Sequence, residues 1–237
     1  MGRTTGRRRA VLSMLVLAGL LLTVASAAMA VDVRGTLRVP SDYGGAPAEA
    51  EDETRRNRYW EEWNGFLDPR DPSFDAAREL AVVLTGEGPM AEEQPGHEVA
   101  NGALRPATIV ERAGATLRIQ NTDPMSHQLT AEGHPEFGPT PTSPGLTRQL
   151  LVSEAGSWPV RDVIYGHVRG HLHVLPDLVA RARLEGDGTF HFRNVAPGTY
   201  TLKVFHGERM IHEQAGVEIN DTRELTLEPI AISAGGS

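Results

Sequence analysis

Residues 168–206 read VRGHLHVLPDLVARARLEGDGTFHFRNVAPGTYTLKVFH, a run of short segments broken by turns at fixed places. Val168, Gly170, Leu172 and Val174 fall on one face of an extended segment, and Arg169, His171 and His173 on the other. Asp187-Gly188 supplies a tight turn, since glycine enters positive φ without a steric penalty. Phe190 and Phe192 then alternate with His191 and Arg193, and Pro197-Gly198 turns the chain again. Tyr200, Leu202 and Val204 alternate against Thr201, Lys203 and Phe205. A period of two with turns at this spacing predicts short antiparallel strands packed as a sandwich, and the fold class is therefore all-β.

The stretch DGTFHFRNVAPGTYTLKV, residues 187–204, resembles the carboxypeptidase regulatory-like (transthyretin-like) domain in its D-G-x-F-x-F and P-G-x-Y-x-L positions. That resemblance covers about the last seventy residues and implies a small antiparallel sandwich serving as a structural or interaction module. It implies no activity by itself.

The chain begins MGRTTGRRRAVLSMLVLAGLLLTVASAAMA. Arg3, Arg7, Arg8 and Arg9 precede an apolar run from Val11 to Val24, and Ala28-Met29-Ala30 has the form of a cleavage site. This pattern predicts a secretory signal over residues 1–30, a mature start at Val31, and a periplasmic or secreted protein. Loss of the four leader arginines would take the net charge from −8 to −12. A balance that acidic argues against nucleic acid as a partner, and no later apolar run is long enough for a transmembrane segment. With no cysteine there can be neither a disulfide nor a thiolate metal ligand, so the fold must stand on its core.

VRGTLRVP at 33–40 nearly repeats VRGHLHVLP at 168–176, and both look like the opening strand of a regulatory-like domain. The first copy resumes at Leu80–Leu84 after an insertion near residues 41–77, where 51–64 could form a short helix ended by Gly65. Tyr59, Trp60, Trp63 and Phe66 would then share one side. Trp60 and Trp63 could cover a sandwich face or form a partner-binding patch. The expected division is 31–97 for the first regulatory-like strands with their insertion, 98–167 for a second unit, and 168–237 for the regulatory-like domain.

RPATIVERAGATLRIQNTDPMSHQLT, residues 105–130, resembles the first half of a cupredoxin, with Pro106, Gly114, Asn121, Asp123 and His127 in the patterned places. A group of exported, methylamine-utilisation-like proteins joins such a half to a D-G-x-F, P-G-x-Y tail. In that family the histidine is the first copper ligand, and a later Cys-x-x-His-x-x-Met loop supplies the others. Counting along this chain puts Asp162 at the cysteine, Tyr165 at the histidine and Val168 at the methionine. The resemblance thus implies a Greek-key cupredoxin-like sandwich whose blue copper centre has been lost, because no Cu–thiolate bond can form.

A histidine-only site of His127, His167, His171 and His173 could still take copper as a type 2 centre, with Glu132 or His134 adding a ligand. Against it, the repeat places Thr36 and Arg38 where His171 and His173 stand, which reads as an ordinary polar face. Asp123 and Asp162 could flank the same loops as a paired acid and base, but Asp123 follows Asn121 in a turn where its oxygens would bond backbone N–H groups. There is no G-x-S-x-G, H-E-x-x-H, phosphate loop or dinucleotide fingerprint. The chain reads as a non-catalytic exported binding or accessory protein for an unknown periplasmic protein or small ligand, with a histidine-only copper or electron-transfer protein as the alternative.

Overall fold

The computed structural model describes residues 30–43, 74–91, 95–220 and 223–233. The leader and the insertion from 44 to 73, with Trp60 and Trp63, lie outside the described residues. Strands dominate the rest, in an all-β arrangement with a single four-residue helix, α1 (Ala76–Glu79), among the described residues. Asp75 caps α1 by accepting the Ala77 N–H.

Two sandwiches share the chain. In the first, β12 (Thr189–Val195), β1 (Val31–Arg38) and β15 (Glu224–Thr226) form one sheet, with β16 (Ile230–Ala231) also on β1. The facing sheet runs β11 (Leu178–Ala182), β2 (Leu80–Thr85), β13 (Gly198–His206), β14 (Arg209–Ile219). Val33, Leu37, Val82, Leu84, Phe190, Phe192, Tyr200 and Leu202 meet in their common core. Phe190 and Phe192 point inward as the period of two requires, and their rings touch edge to face at 5.5 Å.

The second sandwich pairs the sheet β4 (Ala103–Arg105), β3 (His97–Ala100), β6 (Ala115–Asn121), β8 (Thr147–Val152) with the sheet β5 (Thr108–Arg112), β10 (Arg169–Leu175), β9 (Gly156–Asp162), β7 (Leu129–Ala131). Ile109, Leu117, Ile119, Phe137, Leu172 and Val174 fill it. Most pairings in both sandwiches are antiparallel, but β1 with β15 and β16, β5 with β10, and β3 with β6 run parallel.

Strand pairing groups the chain differently from divisions at 97 and 167. β1 and β2 join the C-terminal strands, and β10, expected to open the last domain, lies between β5 and β9 in the other sandwich. Alternation along VRGHLHV fixes which residues share a face but carries nothing about the neighbouring strand.

The two sandwiches meet along β2, which is buried at all six positions. Leu80, Val82 and Leu84 face the first core, while Ala81 and Val83 pack with Val110, Leu178 and Phe205. The unbroken apolar run at 80–84 therefore marks a strand covered on both faces.

Candidate functional site

The loop from Asn121 to His127 is fixed before any function is asked of it. The Asn121 side chain accepts the Asp123 N–H and donates to the carbonyls of Met125 and Thr142. His127 and Thr142 exchange a pair of backbone hydrogen bonds. Asp123 then receives the N–H groups of Asn101 and Gly102 at a turn in positive φ. As the sequence suggests, this aspartate bonds backbone donors, and it also does more.

His127 is 1% exposed and lies between two carboxylates. Its Nε2 is 3.0 Å from Asp123 Oδ2 and its Nδ1 is 2.7 Å from Asp162 Oδ2. Asp162, at the end of β9, also receives the N–H groups of Gln128, Ile164 and Tyr165. The Tyr165 ring stands edge-on to the imidazole with centroids 5.3 Å apart. Five backbone N–H groups thus spread the charge of two buried carboxylates around one ring.

Burial would push the imidazole toward its neutral form. The hydrogen bonds from Asp123 and Asp162 and their charges outweigh it and raise His127 to about 8. Both aspartates are held below the usual carboxylate range: burial opposes this, but the bonds from His127 and from backbone N–H groups prevail. At neutral pH the cluster is an imidazolium clamped by two carboxylates. With exposures of 1–4% it presents no face to a dissolved substrate, so the paired-acid reading of Asp123 and Asp162 finds no opening here.

Copper does not fit this donor set. The position counted for the thiolate holds Asp162, and both ring nitrogens that could bind a metal already face carboxylates on opposite edges of the ring. Among the described residues no group of three or more His, Cys, Asp or Glu side chains is arranged to hold a metal ion.

The four histidines of the sequence reading do not gather into one metal-holding group among the described residues. His171 pairs with Pro159, three residues along β9 from Asp162 and so about 10 Å from the His127 end of the strand. The His167 ring stands 6.3 Å from that of Tyr165. His171 and His173 do stand side by side, with centroids 4.9 Å apart, and Ser157 Oγ bridges them at 2.7 and 3.1 Å. His173 is nearly fully buried, which corrects its assignment to a solvated face. Its Nε2 bonds the Gly207 carbonyl at 2.7 Å and its ring packs on Phe205, because the first sandwich covers this face of β10. Burial lowers both histidines, helped at His171 by the neighbouring His173 and opposed at His173 by the Gly207 bond.

No family model matches the chain, and neither does any curated protein. Among solved structures there is weak similarity to amicyanin, a cupredoxin. Amicyanin from Paracoccus versutus (Thiobacillus versutus) is 18% identical with a TM-score of 0.32, over 39% of this chain and 96% of that one. A reduced tryptophan-to-tyrosine mutant gives 17% and 0.31, over 39% and 97%. A Cu(I) form of a methionine-to-alanine mutant gives 18% and 0.31 over the same shares.

Sequence reasoning missed the ionic contact between the sandwiches. Arg181 on β11 reaches across to Glu111 of β5 at 3.0 Å, donates to the Val110 carbonyl at 2.8 Å, and touches the ring of His97. Burial, with Arg181 and Arg183 nearby, drives His97 well below its ordinary value, so the ring is neutral. Nothing in VARAR or TIVER signals this, since alternation puts Arg181 and Glu111 on faces that would be wet in an isolated sandwich. His206 hydrogen-bonds Tyr43 through Nδ1 and Glu79 through Nε2.

Proposed function

We propose that the chain is an exported, non-catalytic β-sandwich protein, a binding or accessory module in which a cupredoxin-like half has exchanged a copper centre for an Asp–His–Asp clamp. The observation that carries this reading is the engagement of both His127 nitrogens by carboxylates, one of them from the residue counted at the thiolate position. A blue copper centre needs an open imidazole and a thiolate, and this arrangement offers neither. The clamp ties the turns at 101–102, 121–127 and 162–165 together. That leaves the cupredoxin-like half as a rigid scaffold, with recognition of a periplasmic protein or small ligand carried elsewhere on the surface.

Titration of the full chain with Cu²⁺ and Zn²⁺ during thermal unfolding tests it, because a metal bound only by the native state raises the midpoint by mass action. The expected result is an unchanged midpoint and no intense thiolate-to-copper absorption. A metal-dependent rise that disappears in His127→Gln would overturn the reading. The adjacent rings of His171 and His173 favour a second one, a type 2 copper held by nitrogen and oxygen. It requires a rise that survives in His127→Gln and is lost in His171→Ala.

A further inference from the structure

The outward face of the β12-β1-β15 sheet carries an open groove of about 770 Å³ in the first sandwich, separate from the His127 clamp. Its floor follows from strand register. Thr226, Arg34 and His191 lie abreast on β15, β1 and β12, and Thr36 lies abreast of Thr189. Beneath this floor Gly35 faces the core and lets the Phe190 ring pack directly against the strand, where a Cβ would come within 2.2 Å of it. Arg193 extends the row along β12, and Pro95 and Gly96 form a rim on which Arg183 Nη2 approaches the Gly96 carbonyl at 3.4 Å.

Three guanidinium groups and three threonine hydroxyls therefore line the groove with His191, against one carboxylate, Glu185. Three acids stand at its margin: Glu224 at 2.9 Å from Arg34 Nε, Asp32 at 3.6 Å from His191 Nε2, and Asp187, whose carboxylate accepts the Thr189 hydroxyl at 2.7 Å. In a chain of net charge −8, three arginines gathered in one concavity run against the overall balance. The one phenyl ring of the lining, Phe190, is 2% exposed and offers no face for stacking. Planar guanidinium forks flanked by the hydroxyls of Thr36 and Thr226 match oxyanions, which they bind through paired charge-assisted hydrogen bonds. The spread of the three arginines suits a molecule with several anionic groups rather than a lone ion.

We propose that this groove binds a small multivalent oxyanion, a phosphate- or carboxylate-bearing molecule held chiefly by Arg183 and Arg193. The test is calorimetric titration of the full chain at low salt with pyrophosphate and with citrate. At least one should bind, with an affinity that falls as salt screens the arginines. Binding of pyrophosphate alone assigns a phosphate ligand, and of citrate alone a carboxylate ligand. Because both arginines are exposed, Arg183→Ser/Arg193→Ser should keep the unfolding midpoint while weakening binding by about tenfold or more. Glu185→Gln, which removes the opposing carboxylate, should strengthen it. The proposal is overturned if neither anion binds, if the double variant binds like the unaltered chain, or if Glu185→Gln leaves the affinity unchanged or lower. None of these outcomes depends on how the His127 clamp responds to copper.

Discussion

His127 shares its two ring nitrogens between carboxylates that are themselves buried, so the charge states of the three groups rise and fall together. Its folded value near 8 stands above the ordinary 6.5, and the protonated ring therefore favours the native state. That contribution is complete below about pH 6.5 and is lost as the pH rises through 8, a difference of about 2 kcal/mol. The aspartates act in the opposite sense: their depressed values add stability that is present above the ordinary carboxylate range and lost as the pH falls through the folded values. The unaltered chain should lose stability between pH 6.5 and 9, and His127→Gln should not show that slope. At pH 7 the same variant leaves two carboxylates without their cation and should cost about 3–5 kcal/mol. Chemical unfolding across this pH range decides it, and parallel slopes for both proteins would sink the idea. Part of this site was legible beforehand. Counting placed Asp162 where a ligand would face His127, but that it closes on the ring as a hydrogen-bond partner depends on the Ile164 and Tyr165 N–H groups fixing its carboxylate.

At the scale of elements, the repeated V-R-G-x-L-x-V has two unrelated uses. Gly35 of β1 lies over the Phe190 ring, whereas a Cβ on Gly170 of β10 would stand 2.3 Å from the Ala107 carbonyl oxygen. A ring can tilt, but a carbonyl held in a strand contact cannot move without its neighbours, and His171 N–H already donates to that same oxygen. Gly170→Ala should therefore destabilise by about 1–3 kcal/mol and by more than Gly35→Ala, as read from unfolding midpoints. Equal effects would mean that the backbone around Ala107 yields freely. Strand positions such as 80–84 and 189–195 were legible because burial on one or both faces writes itself into local hydropathy. Partner choice was not, since β10 presents the same alternation whether it opens a domain or lies in the middle of another sheet.

The molecule as a whole is held by the seam between its sandwiches, where Ala81, Val83, Val110, Leu178 and Phe205 form an apolar strip. Beside it, Gly207 N–H bonds Thr108 Oγ1, the Thr108 hydroxyl donates to the Glu79 carbonyl, and His173 reaches Gly207. Arg181 and Glu111 place opposite charges within this seam. Burial pulls the guanidinium down and pushes the carboxyl up, and each partner counters the shift in the other. Such a pair contributes little net stability, but breaking it exposes the remaining ion to a poorly solvating environment. Arg181→Met would leave Glu111 inside the seam and the His97 ring without that contact, so the cost should be about 3–5 kcal/mol. Because the loss falls on the contact between two cores that are otherwise separate, calorimetry should show one transition for the unaltered chain and two for the variant. Adding Glu111→Leu removes the stranded charge and should recover part of the midpoint, though the Val110 carbonyl still lacks its guanidinium donor. A single transition at an unchanged midpoint in Arg181→Met would show that the apolar strip alone couples the sandwiches.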